Sequence, residues 1–548
     1  MRLINLIQYI FLSYSKKKIL GYWQKGILNI IEYHKLFWIS YIQKKVMIII
    51  IIIIIIIIII IIIIIIIIII IIIIFKKISM KMFIFKIRTM ITVLILFGLF
   101  ACSKKELSEE NAINAVTNDK EIGFESHSKN LNVIYFVPND NPEVADYKNR
   151  LSNLLIYFQN YVKEEMDRNG FGKKTFGLPI DYSNVNSPKV KIITIKGKLG
   201  QKDYDYGSGQ IIINEINLYK EQHSKEFSSE HHNLIILPQR TDKGRQPFFG
   251  WGSSCFAVDN SDIRVEEIKT TKSDLIGGML HELGHGLNLF HNKAKKSEAK
   301  SLGTSLMGAG NGTFGRKSTF ITELSAAILN RNEIFQSESD MKFYGSVESV
   351  VDIRVGYNSN NKTIQIDGNF KADKKVTDVI YLLDPNVENE GSGVNHDYNA
   401  IGWKKSVSGD NNLKMDIPID ELEYTEDIPY DLKVILVFEN GALTTDIFPF
   451  NFIGGKPSFT SNEKPKFYQN CGFGGYEVEL GVGKYTAQDL KDAGITNNDV
   501  SGIKVPLGFK VTLYDGDNFS GNSKVVTSYK DCIVDFNDRA SSINIELK

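Results

Sequence analysis

The sequence has 548 residues, of which 43% are hydrophobic and 23% charged, which excludes disorder, collagen and coiled coil as descriptions of the whole chain. Residues 48–74 are 27 consecutive isoleucines, and residues 1–79 carry ten Lys and Arg against one acidic residue. Residues 80–101 add three basic residues, and the whole chain has a net charge of +1, so the remaining 447 residues sum to −11. An acidic remainder of this length argues against nucleic acid as a partner and suits two to four domains.

Residues 1–79 are expected to lie outside the real gene product. The isoleucine run is long enough to span a bilayer, so a true additional anchor is the alternative. A spanning helix shortly before a complete signal peptide would be redundant. We therefore predict that translation starts near Met80.

Residues 80–101 have the order of a secretory signal peptide: a basic stretch, then an apolar run at 91–100, then Ala101 and Cys102. Residues 99–102 (LFAC) resemble the lipobox of bacterial lipoproteins, in which the Cys becomes the lipidated first residue of the mature protein. The resemblance implies an anchor in the outer membrane, at the cell surface or in the periplasm, with secretion as a variant. An ordinary signal peptide or membrane anchor is the alternative.

The polar residues 102–130 are expected to form a flexible tether, and residues 131–340 to form a domain that mixes helices and strands. The signals for this domain are apolar strands at 133–137, 190–195, 210–213 and 234–237, and helices spanning 151–162, 273–289 and 322–330. Residues 347–455 alternate apolar and polar positions and predict a small, immunoglobulin-like β-sandwich. Residues 456–465 (KPSFTSNEKP) read as a linker, and residues 466–548 as a last β domain.

Residues 281–285 (HELGH) form an HExxH motif on the predicted helix 273–289. Residues four apart on a helix share a face, so His281 and His285 can bind one zinc ion. Glu282 would lie beside a water in the open metal position, act as its general base and then pass the proton to the leaving amine. The alternatives are buried core histidines and an assembled but catalytically silent site.

The third ligand decides the class of metal site. His291 lies six residues after His285, and the stretch 281–291 (HELGHGLNLFH) resembles the metzincin pattern HExxHxxGxxH of zinc endopeptidases. Asn288 stands where that family has Gly, at a turn that needs a left-handed conformation, and Asn is the best non-Gly residue for it. The rival ligand is Glu323, in the gluzincin manner, although its spacing and context fit poorly.

Metzincins also carry a Met-turn below the metal, and Met307 follows His291 by 16 residues in the sequence SLMG. No Tyr follows two residues later, so three His ligands and one water are expected. The resemblance implies an α+β catalytic domain, one catalytic Zn²⁺, protein or peptide substrates, and a helix at 322–330 packed behind the site.

Three further features have structural interpretations. The pair His231-His232 precedes a strand without ligand spacing and is expected to be a solvated strand entry. Trp251 is expected to pack on an edge strand, with a wall of the substrate cleft as the alternative. Cys255 is expected to be buried.

The last domain repeats the pattern YxxxxFxG at 468–475 and 514–521, and this doublet resembles the Greek-key motifs of βγ-crystallins, two of which make one domain. Each half ends in a match to the calcium signature of that family, complete at 537–542 (NDRASS) and complete except for Gly502 at 497–502 (NNDVSG). The resemblance implies up to two Ca²⁺ ions, each bound by both halves. The candidate ligands are Asn497, Asn498, Ser501, Asn537, Asp538 and Ser541. Cys471 and Cys532 lie in the same domain and can pair in an oxidising compartment.

The predicted fold is multidomain: an α+β metzincin-like catalytic domain, an all-β immunoglobulin-like sandwich and an all-β βγ-crystallin-like domain. The predicted function is that of a lipid-anchored, monomeric bacterial zinc endopeptidase. The alternative is a non-catalytic binding or adhesion lipoprotein with structural zinc, whose β modules engage glycans or host proteins.

Overall fold

A computed structural model describes residues 124–183, 188–337, 340–389, 394–459 and 463–548. The isoleucine run, the predicted signal peptide and Cys102 therefore lie outside the described residues. Within the described part, no helix has the length and apolar character needed to cross a bilayer.

The first domain is a five-stranded sheet with helices on both faces. The strands of this sheet are β1 (Asn132–Val137), β4 (Ile193–Lys196), β5 (Asn233–Pro238), β6 (Gly250–Trp251) and β7 (Ser254–Asp259), and two small separate pairs are formed by β2 (Ile180–Asp181) with β3 (Lys189–Val190) and by β8 (Thr304–Ser305) with β9 (Thr319–Phe320). In the five-stranded sheet four strands are parallel, the fifth is an antiparallel edge strand, and the order is β4-β1-β5-β7-β6. The helices are α1 (Tyr147–Arg168), α2 (Gly209–Gln222), α3 (Ser273–Gly286), α4 (Lys296–Ser301) and α5 (Glu323–Leu329). Alternate residues of β1 enter two cores, since Val133 packs with α1 and α3 whereas Ile134 packs with α2.

The strand predicted at 210–213 is wrong, because these residues belong to helix α2. The run of three isoleucines favours a strand by composition. Ile212 and Ile216, one helical turn apart, are buried against the sheet, whereas Ile211 is 41% exposed. Burial of this helical face overrides the β-propensity of the isoleucines.

The first domain begins earlier than residue 131. Phe124 packs on its core, the backbone N–H of Glu125 donates to Gln159 Oε1 at 2.8 Å, and His127 Nδ1 lies 2.8 Å from the Ile334 carbonyl. The tether predicted for 102–130 is therefore wrong over 124–130, where polar residues make these contacts instead of facing solvent.

The second domain consists of two antiparallel sheets, β10-β11-β14 and β13-β12-β15-β16-β17. Its strands are β10 (Ser349–Asn358), β11 (Thr363–Ala372), β12 (Val376–Pro385), β13 (Ile401–Ser406), β14 (Asn412–Pro418), β15 (Ile428–Phe438), β16 (Leu443–Ile453) and β17 (Lys456–Ser458). Residues of both sheets share one apolar core, as in a sandwich. The linker predicted at 456–465 is wrong at its start, because Gly454 and Gly455 adopt positive φ and turn β17 back onto β16.

The outer face of the larger sandwich sheet joins the core of the first domain. Ile380 and Leu382 of β12 belong to the same apolar cluster as Leu283 and Met307. A Cβ at Gly402 would lie 2.2 Å from the side chain of Leu324 in α5, so the two domains approach closely there.

The third domain contains the sheets β19-β18-β21 and β20-β24-β22-β23. Its elements are β18 (Lys466–Asn470), β19 (Gly474–Glu479), β20 (Gly483–Tyr485), α6 (Ala487–Asp492), β21 (Gly502–Lys504), β22 (Phe509–Gly516), β23 (Ser520–Val526) and β24 (Ser542–Leu547). In each motif the Phe has a positive φ and its ring meets that of the Tyr, with centroids 5.2 Å apart for Tyr468–Phe473 and 5.9 Å for Tyr514–Phe519. Strand β20 of the first half pairs with β24 of the second.

Candidate metal centre and active site

Helix α3 brings two of the predicted ligands to one point, and the turn after it brings the third. The Nε2 atom of His291 lies 3.3 Å from that of His281 and 2.9 Å from that of His285. Among the described residues, the His, Cys, Asp and Glu side chains that converge as a metal-binding group are these three histidines.

Each of the three imidazoles is oriented by a backbone carbonyl. The Nδ1 atoms lie 2.8 Å from the Leu306 carbonyl for His281, 2.8 Å from the Leu289 carbonyl for His285 and 2.6 Å from the His396 carbonyl for His291. Because a carbonyl oxygen only accepts, each Nδ1 donates and each Nε2 keeps its lone pair. Three lone pairs facing one another repel, and a cation among them removes the repulsion, so the donor set fits a zinc ion.

The electrostatics keep the ligands neutral. Burial, together with the neighbouring His285, lowers the pKa of His281 to about 4 and that of His291 to about 3. Burial also lowers the pKa of His285. A neutral imidazole is the form that binds a metal, so at neutral pH no proton has to be displaced.

The turn after the helix has the predicted conformation. Helix α3 ends at Gly286, and Asn288 has a left-handed φ of 68°. The backbone N–H of Leu289 donates back to the Gly284 carbonyl at 3.0 Å, which closes the helix end. The chain can then return so that His291 faces the helix.

Met307 packs against the helix that carries His281 and His285, whereas Glu323 does not lie with the three histidines. Met307 is buried, its carbonyl accepts from the Asn292 backbone N–H at 3.1 Å, and its Sδ lies against Gly284. Glu323 forms an ion pair with Lys295 at 2.6 Å. The structure therefore does not bring the rival ligand to the three histidines.

Glu282 follows the first ligand on α3 and is half-buried. Burial, and to a smaller extent the negative charge of Glu282, raises the pKa of the buried Cys255 thiol in β7. Edge strand β6 passes next to the helix, where a Cβ at Gly250 would lie 2.0 Å from the Cβ of His285. On the same edge strand Trp251 is 48% exposed, so about half of its surface is covered and half faces solvent.

The solvated strand entry expected at His231-His232 is wrong for His232. His232 is fully buried, with Nδ1 2.8 Å from the Gly286 carbonyl and Nε2 2.6 Å from the Tyr344 hydroxyl. His231 pairs with the buried carboxylate of Glu333 at 3.0 Å. These partners lie far away in sequence, so no local pattern could have indicated that His232 supports the end of the metal-site helix.

The calcium candidates of the third domain meet across its two halves. Ser501 Oγ donates to Asp538 Oδ1 at 2.9 Å, and Ser541 Oγ donates to Asn498 Oδ1 at 2.9 Å. Asn498 and Asp538 both have a positive φ, 57° and 54°. Asn497 and Asn537 precede them in their loops, and Cys471 forms a disulfide with Cys532 beside the second loop.

No protein-family model matches the sequence. Development-specific protein S of Myxococcus xanthus is 39% identical over 82 residues, which are 15% of this chain and 47% of that protein, and its homolog is 41% identical over 83 residues. The chain thus spans about half the length of the curated relatives it matches. A βγ-crystallin domain from Clostridium beijerinckii is 36% identical over 15% of this chain and 97% of that domain, with a TM-score of 0.15.

A larger part of the chain is similar to OgpA from Akkermansia muciniphila. The structure of wild-type OgpA matches with 32% identity and a TM-score of 0.56, covering 61% of this chain and 96% of OgpA. A catalytically inactive OgpA, solved in complex with an O-glycopeptide (glycodrosocin) substrate, matches with 31% identity and the same TM-score of 0.56. This likeness supports a peptidase function in general, and with 32% identity over 96% of OgpA the chain belongs to the OgpA family.

Proposed function

We propose that the protein is a zinc-dependent endopeptidase that hydrolyses peptide bonds of protein substrates. The observation that carries the proposal is the convergence of three Nε2 lone pairs whose Nδ1 atoms are all engaged by carbonyls. Zinc bound by three protein ligands keeps an open position, at which it would polarise the scissile carbonyl and acidify water.

The chain's own residues have separate tasks in this proposal. Glu282 accepts the proton of the attacking water and delivers it to the leaving amine, and its place on α3 next to His281 fixes its distance from the reaction. The three carbonyls hold the imidazole rings, and the buried Met307 packs against Gly284, which lies between His281 and His285 on the helix. The buried thiol of Cys255 stays protonated and does not compete as a ligand.

We further propose O-glycosylated peptides as the substrate class. The support is the likeness to OgpA, which has been crystallised with an O-glycopeptide substrate. In this chain a cleft of about 560 Å³ lies beside the Met-turn, between the first domain and the sandwich. Its walls include Lys293, Ser305, Gly308, Asn389, Tyr398 and Asn399. A cleft of this size with amide and hydroxyl groups next to His291 can hold a sugar attached near the scissile bond.

The competing function is a binding or adhesion lipoprotein with structural zinc. Structural zinc sites are closed by four protein ligands, whereas the converging group in the described part of the chain consists of three histidines. This difference favours the enzyme.

The test uses one peptide with and without an O-linked glycan, incubated with purified protein and with Glu282→Gln. Zinc content is measured in both, and cleavage sites are read by mass spectrometry. We expect cleavage by the native protein, preference for the glycosylated peptide, and zinc without cleavage in Glu282→Gln. Equal cleavage by both proteins would contradict the role of Glu282, and bound zinc with no cleavage of any peptide would favour the binding function.

For location, we propose a monomer held at the bacterial surface or in the periplasm by lipid on Cys102. The order of the segment 80–102 supports this, and the Cys471–Cys532 disulfide suits an oxidising compartment. Radiolabelled palmitate should label the native protein and not Cys102→Ala. An unlabelled native protein would contradict the lipid anchor.

In the third domain we propose up to two Ca²⁺ sites. The support is the pairing of Ser501 with Asp538 and of Ser541 with Asn498, which joins the two signatures as the resemblance implies. Carboxylate, amide and hydroxyl oxygens suit this ion.

A further inference from the structure

The third histidine of the metal centre is held by the second domain. His291 donates from Nδ1 to the His396 carbonyl at 2.6 Å, and the Tyr398 ring stacks on its ring with centroids 3.7 Å apart and planes 23° apart. The carbonyls that orient His281 and His285 come from the first domain itself. The orientation of His291 therefore depends on the sandwich segment 394–400, which we name the support loop.

The support loop is fixed by hydrogen bonds to its own domain. Asn395 Nδ2 donates to the carboxylate of Asp384, at 3.1 and 3.2 Å from its two oxygens. The backbone N–H of His396 donates to Asn389 Oδ1 at 2.9 Å, and that of Asp397 donates to Asn395 Oδ1 at 2.9 Å. Asp397 has a left-handed φ of 62°, which turns the chain between the carbonyl and the ring that contact His291.

One cation closes this network. Lys433 of β15 has a side chain only 15% exposed and lies 2.8 Å from Asp384 and 2.7 Å from Asp397. It thus bridges one carboxylate on the β12 strand and one in the loop. Because Asp384 is 2% exposed, removing the ammonium would leave an uncompensated buried charge.

The loop is also joined directly to the chain that follows the ligand. Lys293 lies two residues after His291, and its backbone N–H donates to the Ala400 carbonyl at 2.6 Å. Ala400 belongs to the same apolar core as Met307. The support loop is therefore fixed both to the sandwich and to the floor of the metal centre.

We propose that the sandwich domain is a structural part of the metal centre, and that Lys433 and Tyr398 are positioning residues. They hold the support loop so that His291 keeps the ring orientation and tautomer that bind the metal. The inference rests on the proposed metal site and deepens it, because it assigns part of the metal affinity to the second domain. Partners of this kind commonly change metal affinity by about 10- to 100-fold.

The first experiment measures the zinc Kd of the purified protein at pH 7 by competition with a chromophoric chelator. Lys433→Met should raise the Kd by about 10- to 100-fold. The matched control is Lys404→Met, because Lys404 is similarly buried, with 17% of its side chain exposed against 15%, and pairs with the similarly buried Asp378 of the same sandwich. Asp378 lies outside the support loop, so the zinc Kd of Lys404→Met should equal that of the native protein.

The second experiment tests the ring contact. Tyr398→Ala should raise the zinc Kd, whereas Tyr398→Phe keeps the ring and should retain the native value. The visible spectrum of the Co²⁺-substituted protein should shift in Tyr398→Ala and not in Tyr398→Phe. Thermal unfolding of each metal-free variant distinguishes a change at the metal site from a loss of folding. If Lys433→Met does not fold, the zinc Kd of Tyr398→Ala tests the proposal.

The outcomes are distinguishable. If the native protein binds no zinc, the proposed function fails. If it binds zinc and both Lys433→Met and Tyr398→Ala keep the native Kd and spectrum, the role of the sandwich is wrong while the proposed function stands. If Tyr398→Phe behaves like Tyr398→Ala, the stacking contact is not the cause.

Discussion

Met307 packs directly against Gly284, where a Cβ would lie 2.4 Å from its Sδ. Gly284 lies between His281 and His285 on helix α3, so a displacement of Met307 would affect the helix turn that carries both ligands. The contact explains why a helix-weakening residue occupies this position in a buried helix.

Gly284→Ala is expected to destabilise the protein. Alanine gains about 1 kcal/mol in helix propensity, but overpacking a buried site costs about 1–3 kcal/mol. The second effect should win, because Met307 is 1% exposed and has little room to move. Urea unfolding would measure the difference, with Gly312→Ala as control since a Cβ there meets nothing within 4 Å. Equal stability of the two variants would contradict the packing argument.

Replacement of Asn288 tests the turn that presents the third ligand. At its φ of 68°, Asn288→Ala should cost about 1–2 kcal/mol, while Asn288→Gly relieves the strain. The unfolding free energy and the zinc content should both fall in Asn288→Ala. In Asn288→Gly the zinc content should be retained. If the two variants behaved alike, the left-handed backbone would not be the constraint.

The metal centre could be predicted from sequence where its geometry is local. His281 and His285 share a helix face by spacing alone, and the need for a left-handed residue identifies the role of Asn288. The partners of these residues could not be predicted in this way. His396 and Tyr398 approach His291 from another domain, about a hundred residues away in sequence, through a loop whose residues have no motif.

The same distinction between local patterns and contacts distant in sequence explains which predictions of the fold were wrong. The isoleucines of α2 satisfy a strand pattern locally, and only the sheet against which Ile212 and Ile216 pack selects the helix. His232 looks like a polar residue before a strand until Gly286 and Tyr344 bury it. In each case a contact distant in sequence determines the outcome.

Stability should depend on pH through His232. Burial lowers its pKa from 6.5 to about 4, and the hydrogen bond to the Gly286 carbonyl and the charge of Glu333 oppose this shift, whereas His231 adds to it. Between these values the unfolded chain binds a proton that the folded protein does not, so the unfolding free energy falls as the pH falls from about 6.5 to about 4. At about 1.4 kcal/mol per pKa unit, the contribution of His232 is at most about 3.5 kcal/mol.

The measurement compares urea unfolding of the native protein and His232→Gln across that pH range, in the metal-free state. The metal-site histidines titrate in both proteins, so their effect cancels in the difference. The variant should lose less stability on acidification than the native protein. Parallel pH profiles would show that His232 is not the titrating group.

Calcium should stabilise the third domain through the paired loops. Asp538→Ala removes the one carboxylate among the six candidate ligands, so the affinity of its site should fall by about tenfold or more, the equivalent of about 1.4 kcal/mol. Ser541→Ala should weaken binding less, because a neutral oxygen is lost. Isothermal titration of the purified protein with Ca²⁺ measures both, and Ser523→Ala, an exposed serine on β23, serves as control. The loop at 497–502 should bind more weakly, since Gly502 supplies no side-chain oxygen. Identical isotherms for the native protein and Asp538→Ala would place calcium elsewhere.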